Sequence, residues 1–183
     1  MGKVKFESEV DRSFTEEILS EPGGEAILKC IQCGTCSSTC PLSHFMDYTP
    51  RQIIYMVREG FKKEVLSSRT PWICASCFSC VVQCPSGIKI ADVMHIIKRK
   101  AMAEGVHPKD EFLPKLYKSF YESVKASGRI NETNVVRKAS LGKALGMLGL
   151  GLKLRGKGRL SLAEESVKDV SQVRKLIEEA EKA

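Results

Sequence analysis

The sequence predicts an all-α protein, and three observations support that fold class. Apolar residues recur at the three- and four-residue spacing of a helix, and capping residues, prolines and glycines bound those segments. The third observation is a pair of matching cysteine runs joined by one such helical segment. We therefore expect an N-terminal arm at residues 1–24, a helical cysteine-containing domain at 25–128 and a C-terminal docking extension at 129–183.

The N-terminal part predicts an arm followed by one short helix. Residues 1 to about 12 are polar, and a helix is expected from Phe14 to Leu19 with Ser13 as its N-cap. The sequence Pro22-Gly23-Gly24 is typical of a turn and ends this helix before the first cysteine run.

The 33 residues from Pro41 to Ile73, between the last cysteine of the first run and the first of the second, predict further helices. Thr49 is a suitable N-cap, Pro50 suits the first helical position, and Gly60 suits the end of the helix. A second short helix is expected from Lys62 to Leu66, and Thr70-Pro71 repeats the cap-proline signature. A helical linker distinguishes this chain from small ferredoxins that contain β-strands.

Two stronger helices follow the second cysteine run. The first is expected from Ile90 to Glu104 and ends at Gly105. The next runs from about Lys109 to Ser127, with Pro114 in its first turns. Their apolar residues recur on one face, which predicts that both helices pack against a core.

The C-terminal part changes character. Residues 139–160 are rich in glycine, leucine and lysine, a composition too apolar for a free linker and too glycine-rich for a sturdy helix. Two interpretations remain open: a segment that docks on a partner and orders on assembly, or a weak peripheral helix on its own domain. The tail from Ala163 to Lys182 predicts a charged helix.

The two cysteine runs share the pattern C-x2-C-x2-C-x3-C-P and use all 8 cysteines of the chain. A 4Fe–4S cluster needs four thiolates, and three cysteines two residues apart can reach three of its corners from one tight loop. In two-cluster ferredoxins the fourth cysteine of each run binds the other cluster. We therefore expect two 4Fe–4S clusters in an α-helical ferredoxin-like domain. Cluster 1 is assigned Cys30, Cys33, Cys36 and Cys84, and cluster 2 is assigned Cys74, Cys77, Cys80 and Cys40.

Structural zinc and disulfides are the alternative interpretations of these cysteines. Zinc sites commonly pair C-x2-C units, often with histidine, whereas each run here has a third cysteine in step and a fourth before proline. Disulfides suit secreted chains, and the first residues do not resemble a signal peptide. A reducing cytoplasm is the expected compartment.

Charge and hydropathy argue against nucleic-acid and membrane functions. The formal net charge is +7. Because each oxidised cluster with its four thiolates carries roughly −2, the loaded protein has a net charge of about +3. No basic patch alternates with stacking aromatic residues, and no apolar run reaches the ~18 residues of a membrane span. The sequence also lacks a catalytic triad, a carboxylate pair and a dinucleotide-binding motif, so we expect a chain that carries electrons without transforming a substrate.

These motifs resemble the C subunit of heterodisulfide reductase over roughly residues 25 to 125. The resemblance rests on both cysteine runs, on Thr49-Pro50-Arg51-Gln52-Ile53-Ile54 between them, and on Trp72-Ile73-Cys74-Ala75-Ser76-Cys77 at the second. It implies a relay that takes electrons from the A subunit, which contains flavin and iron–sulfur clusters. The recipient would be the B subunit, whose Cys-Cys-Gly clusters reduce the coenzyme M–coenzyme B heterodisulfide of methanogenesis. A hydrogenase or formate dehydrogenase in a larger complex is a further partner that the resemblance allows.

Two other functions remain open from the sequence. One is the iron–sulfur relay of a different flavin-dependent complex, such as a glycerol-3-phosphate or lactate dehydrogenase. The other is a binding or regulatory module that folds around metal and has no redox partner. The absence of a Cys-Cys-Gly motif from this chain favours the relay over the catalytic subunit.

Overall fold

The computed structural model describes residues 10–108, 112–159 and 166–181, and these residues form helices without any β-strand. The predicted all-α fold class is confirmed. The α-helices are α1 (Arg12–Leu19), α2 (Thr35–Ser38), α3 (Pro50–Arg58), α4 (Lys62–Ser67), α5 (Thr70–Ile73), α6 (Ser79–Val82), α7 (Ile90–Ala103), α8 (Phe112–Ser127), α9 (Glu132–Ala139), α10 (Leu141–Gly146), α11 (Leu148–Gly156) and α12 (Val170–Ala180). Short 3-10 helices occupy Glu25–Lys29 and Ser43–Phe45. Among the described helices, none combines the length and the apolar character needed to cross a membrane.

The chain divides into two compact units, Met1–Lys109 and Asp110–Ala183. The first unit contains both cysteine runs and the helices α1 to α7. The predicted polar arm falls mostly on residues 1–9, which lie outside the described residues.

Helices α3 and α7 both contribute buried side chains to the core of the first unit. The apolar stripe predicted for α3 is buried, with Ile53 and Val57 both fully inaccessible to solvent. On α7 the side chains of Val93 and Ile97 are equally inaccessible. This arrangement gives the two cysteine loops a packed support, because α2 contacts α3 and α6 contacts α7.

The start of α1 differs from its prediction, since Asp11 and not Ser13 is the N-cap. One Asp11 carboxylate oxygen accepts the backbone N–H groups of Ser13 and Phe14 at 3.0 and 3.3 Å. The Ser13 hydroxyl donates to the same oxygen, and this hydrogen bond is the main cause of a lowered pKa at Asp11, to which the backbone hydrogen bonds add. Aspartate is the more favourable N-cap here because its carboxylate also complements the positive end of the helix dipole.

Gly60 follows α3 in the left-handed conformation, with φ of 78°. It also contacts the backbone of Asp11 at the start of α1. Its carbonyl accepts the Asp11 N–H at 2.8 Å, and a Cβ at position 60 would lie only 2.6 Å from the Asp11 carbonyl oxygen. Because backbone atoms cannot swing aside as a flexible side chain can, only glycine fits this position.

Gly60→Ala is therefore expected to lower the free energy of unfolding by on the order of 3–4 kcal/mol, from left-handed strain plus the backbone clash. Gly105→Ala is the matched control, since Gly105 has φ of 65° but no heavy atom within 4 Å of the position that its Cβ would take. It should cost only about 1–2 kcal/mol. Anaerobic denaturant unfolding of both variants measures the difference, and equal losses would contradict the clash.

Thr70 lies inside α5 and is not its cap, which corrects the repeated cap-proline prediction. Its hydroxyl is fully buried, donates to the Tyr48 carbonyl at 2.7 Å and accepts the Tyr48 N–H at 3.0 Å. The side chain thus ties the start of the second cysteine run to the segment before α3. A buried hydroxyl with both partners satisfied rigidifies this junction.

The second unit contains one helix that the sequence analysis did not predict. Asn131 caps α9 by accepting the Asn134 N–H at 3.0 Å, and α9 packs on α8. The glycine-rich segment forms α10 and α11 in spite of its composition. On α11 no residue is buried, and Leu148 and Leu152 are 57% and 68% exposed.

Candidate iron–sulfur sites

Both cysteine runs adopt the same backbone conformation. The residues immediately before and after the second cysteine of each run have positive φ angles: 57° at Gln32, 83° at Gly34, 52° at Ser76 and 61° at Phe78. Each loop then enters a four-residue helix, α2 or α6. Left-handed backbone at three non-glycine residues costs about 1–2 kcal/mol each, and such strain persists where the surrounding structure fixes the backbone.

The first cavity brings together cysteines that are distant in sequence. Its empty space is about 350 Å³, which includes the open mouth. The cysteines that line it are Cys30, Cys33, Cys36 and Cys84. Arg51 and Ile88 are among its other lining residues.

The second cavity is similar in size, with about 430 Å³ of empty space including its mouth. The cysteines that line it are Cys40, Cys74, Cys77 and Cys80. Each cavity is thus lined by the first three cysteines of one run and the last cysteine of the other.

The short helices α2 and α6 explain this exchange. Cys36 lines the first cavity from α2, and Cys40 follows four residues later and lines the second. In the second run Cys80, on α6, lines the second cavity, and Cys84 lines the first. Helix α6 packs against α2. Because only three residues separate the two cysteines in each run, and because α2 packs on α6, the two cavities lie side by side.

The donor sets fit 4Fe–4S clusters better than the alternative interpretations. None of the eight cysteines is paired in a disulfide. In the part of the chain that the structure describes, no three His, Cys, Asp or Glu side chains converge closely enough for a single metal ion, as zinc would need with sulfur ligands at about 2.3 Å. Four thiols spread around a hollow instead suit a cluster that takes one thiolate at each of four irons.

A hydroxyl two residues after the second cysteine contacts its sulfur in both runs. The Cys33 sulfur lies 3.3 Å from Thr35 Oγ1, and the Cys77 sulfur lies 3.5 Å from Ser79 Oγ. These hydroxyls are the main cause of a lowered pKa at both cysteines. A lowered thiol pKa favours the thiolate that iron binds.

The third cysteine of each run is less accessible than the second. Cys33 and Cys77 are exposed, whereas Cys36 is buried. Burial raises the pKa of Cys36, and burial followed by neighbouring thiolates raises the pKa of Cys80 to about 11. Iron binding must therefore release protons at these two positions.

The first cavity contains polar groups that the sequence analysis did not assign to it. Gln32 Nε2 donates to the Cys30 sulfur at 3.3 Å, and the Ile88 N–H donates to the Cys84 sulfur at 3.4 Å. Arg51 Nη1 donates to Gln32 Oε1 at 3.4 Å. The sequence analysis identified Arg51 only as part of the Thr-Pro-Arg motif. Its position in the cavity depends on the packing of α2 on α3.

The second cavity is more apolar. Its lining includes Met46, Phe78 and Met94, and no charged side chain. Ser76 faces His95, with 3.1 Å between its Oγ and the histidine Nε2. Burial is the main cause of a lowered pKa at His95, which keeps the ring neutral near pH 7.

Comparisons with known proteins agree with this architecture. A 4Fe-4S dicluster domain model matches residues 26–88. The chain is 38% identical over 96 residues to the C subunit of the H(2):CoB-CoM heterodisulfide,ferredoxin reductase of Methanothermobacter marburgensis, which covers 52% of this chain and 51% of that protein. It is 34% identical over 99 residues to a protein of Archaeoglobus profundus described as like the C subunit of heterodisulfide reductase, which covers 54% and 52%. The chain thus spans about half the length of several curated relatives that it matches.

One relative matches almost end to end. The second iron-sulfur C subunit of the CoB--CoM heterodisulfide reductase of Methanocaldococcus jannaschii is 30% identical over 191 residues, which covers 98% of this chain and 90% of that protein. The chain belongs to the family of heterodisulfide reductase C subunits. The family membership predicted from the motifs is confirmed, and with the dicluster domain this member of the family holds two 4Fe–4S clusters.

Proposed function

We propose that this chain is the electron-relay subunit of a heterodisulfide reductase. It would accept electrons from a flavin-containing subunit, and it would deliver them to the subunit that reduces the coenzyme M–coenzyme B disulfide. The observation that carries this proposal is the pair of four-cysteine cavities, adjacent and linked by α2 and α6. When bound, each cluster supplies one-electron redox chemistry.

The proposed ligand sets follow the cavities. Cys30, Cys33, Cys36 and Cys84 would hold cluster 1, and Cys40, Cys74, Cys77 and Cys80 would hold cluster 2. Because Cys36 lies on α2 and Cys40 follows two residues after its end, both clusters would be anchored on neighbouring parts of one short segment. A short and fixed separation favours electron exchange between them over loss to solvent.

Each proposed site has one edge at the protein surface. Cys33 and Cys77 are exposed, and each cavity has an apolar residue at its rim: Ile31 is 67% exposed and Phe78 is 46% exposed. An apolar rim around an exposed ligand supports contact with a redox partner, because partner binding removes such surface from water. Two rims allow one partner to donate and another to accept.

The C-terminal unit supplies a second reason to propose partners. The helix α11 exposes leucines along its length and buries none of its residues. Free apolar surface of this extent favours a docking segment over a peripheral helix that packs on its own unit. We infer that subunits of the reductase cover this helix in the complex.

Anaerobic purification of the native complex tests the proposal. We expect four irons and four sulfides per cluster and two clusters per chain, together with two further subunits, one that contains flavin and one that contains Cys-Cys-Gly motifs. The chain alone should show reversible one-electron reduction and no disulfide reductase activity. Zinc in place of iron, or co-purification with an unrelated flavin dehydrogenase and no Cys-Cys-Gly subunit, would contradict the proposal.

A further inference from the structure

The two cysteine cavities present different electrostatic surroundings to the groups that they hold. A guanidinium and an amide line the first, whereas the lining of the second contains no charged side chain. The reduction potential of an iron–sulfur cluster rises with nearby positive charge and with hydrogen bonds to its sulfurs, since both stabilise the more negative reduced state. The difference therefore bears on the order in which the two sites are reduced.

Arg51 is coupled to the first cavity through two contacts. Its Nη1 donates to Gln32 Oε1 at 3.4 Å, and Gln32 Nε2 donates in turn to the Cys30 sulfur at 3.3 Å. A guanidinium on the amide oxygen polarises the amide and strengthens its N–H donation to sulfur. The Arg51 side chain also lies 3.7 Å from the position that a Cβ would occupy on Gly34, directly in the cluster loop.

A backbone hydrogen bond holds Arg51 in this position, and its charge has no carboxylate partner among the described residues. Its backbone N–H donates to Ser37 Oγ at 3.0 Å, which fastens the start of α3 to α2. Among the described residues, Arg51 forms no ion pair with a carboxylate that would offset its charge. A second guanidinium is close by, since Arg58 Nη1 donates to the Cys30 carbonyl at 3.0 Å.

The second cavity lacks an equivalent group. The hydrogen bond to sulfur on this side joins Cys77 and Ser79, and the first cavity has a matching contact at Thr35. Lys98 and Arg99 act electrostatically on His95, but neither lines the cavity. Arg99 is moreover paired with Glu21 at 2.6 Å.

We propose that Arg51, acting through Gln32, gives the cluster in the first cavity the more positive reduction potential of the two. In a reductive titration, the cluster beside Cys30, Cys33, Cys36 and Cys84 is then reduced before the cluster in the second cavity. This inference rests on the ligand sets of the proposed function. Electrons that pass downhill then enter at the second cavity and leave from the first.

The experiment is a redox titration of the full-length, cluster-loaded protein, followed by EPR, for the parent chain, Arg51→Met and Arg51→Lys. We expect Arg51→Met to lower the higher of the two reduction potentials by at least 59 mV. For one electron this shift corresponds to a tenfold change in the ratio of reduced to oxidised cluster. Arg51→Lys keeps a charge but not the planar fork, so its shift should be smaller. The lower potential should stay unchanged in both variants.

Arg99→Met is the matched control, because it removes the same charge from the same unit at a residue that lines neither cavity. It should shift the higher potential far less than Arg51→Met does. A Cys84→Ser variant marks the signal of the first cavity, and the signal that it alters must be the one that Arg51→Met shifts. If Arg51→Met moves the other signal, both signals equally or neither, the inference is wrong while the relay function stands. A parent chain without two reducible clusters would instead refute the proposed function.

Discussion

Replacing Cys84 with alanine is expected to remove the cluster beside Cys30, Cys33 and Cys36, although Cys84 is in the other cysteine run. The structure places Cys84 in the first cavity, and its sulfur accepts the Ile88 N–H at 3.4 Å. A cube left with three thiolates at that cavity loses one iron ligand and becomes labile. We expect the variant to hold about half the iron of the parent chain, and its EPR spectrum after reduction to show one cluster.

Cys40→Ala is the reciprocal control for this prediction. Cys40 lines the second cavity, so its loss should spare the signal that Cys84→Ala removes. The two single variants should therefore give complementary spectra that together reproduce the parent spectrum. If each substitution instead abolishes the cluster of its own run, the crossed ligand sets are wrong.

Removing iron is expected to unfold the first unit and to leave helix in the second. The elements around the cavities are too short to persist alone, since α2 and α6 have four residues each and isolated helices below about 12–15 residues are marginal. Structural metal sites in small domains contribute on the order of 10 kcal/mol, which is comparable with the whole stability of a domain. The left-handed residues of the loops add strain that cluster binding would help to offset.

Hydrogen exchange before and after anaerobic chelation measures this effect. Amides of α3 and α7 should lose most of their protection, whereas those of α8 serve as an internal reference because they lie in the second unit. Adding iron and sulfide under reducing conditions should restore protection at α3 and α7. Unchanged protection of both helices in the apo chain would show that the apolar core alone stabilises the unit.

Local patterns predicted the helices that carry their own signals. Thr49, Pro50 and Gly60 mark the ends of α3, and its structure shows Gln52 Oε1 accepting the Thr49 N–H at 2.8 Å. Helix α7 likewise begins at Ile90 as expected, and Gly105 follows it with φ of 65°. Such ends depend on residues within one or two turns, which is why sequence reasoning found them.

The misassigned positions depend on contacts between distant segments. Asp11, which caps α1 in place of Ser13, also donates its backbone N–H to the distant Gly60 carbonyl. The Thr70 hydroxyl donates to the carbonyl of Tyr48, 22 residues away, and does not cap its own helix. A residue's local propensity cannot reveal a partner that only folding brings into reach.

The amino-acid sequence by itself determined the all-α class, the two three-cysteine loops and the family, because each depends on residue types at short and regular spacing. The tertiary structure decided which groups surround each cavity, including the hydrogen-bonded series from Arg51 through Gln32 to the Cys30 sulfur. The cysteine spacing determines which cluster corners one loop can bind. The packing of α2 on α3 and α6 determines which other side chains surround each cavity. The electrostatic difference between the cavities is therefore a property of long-range packing and not of either motif.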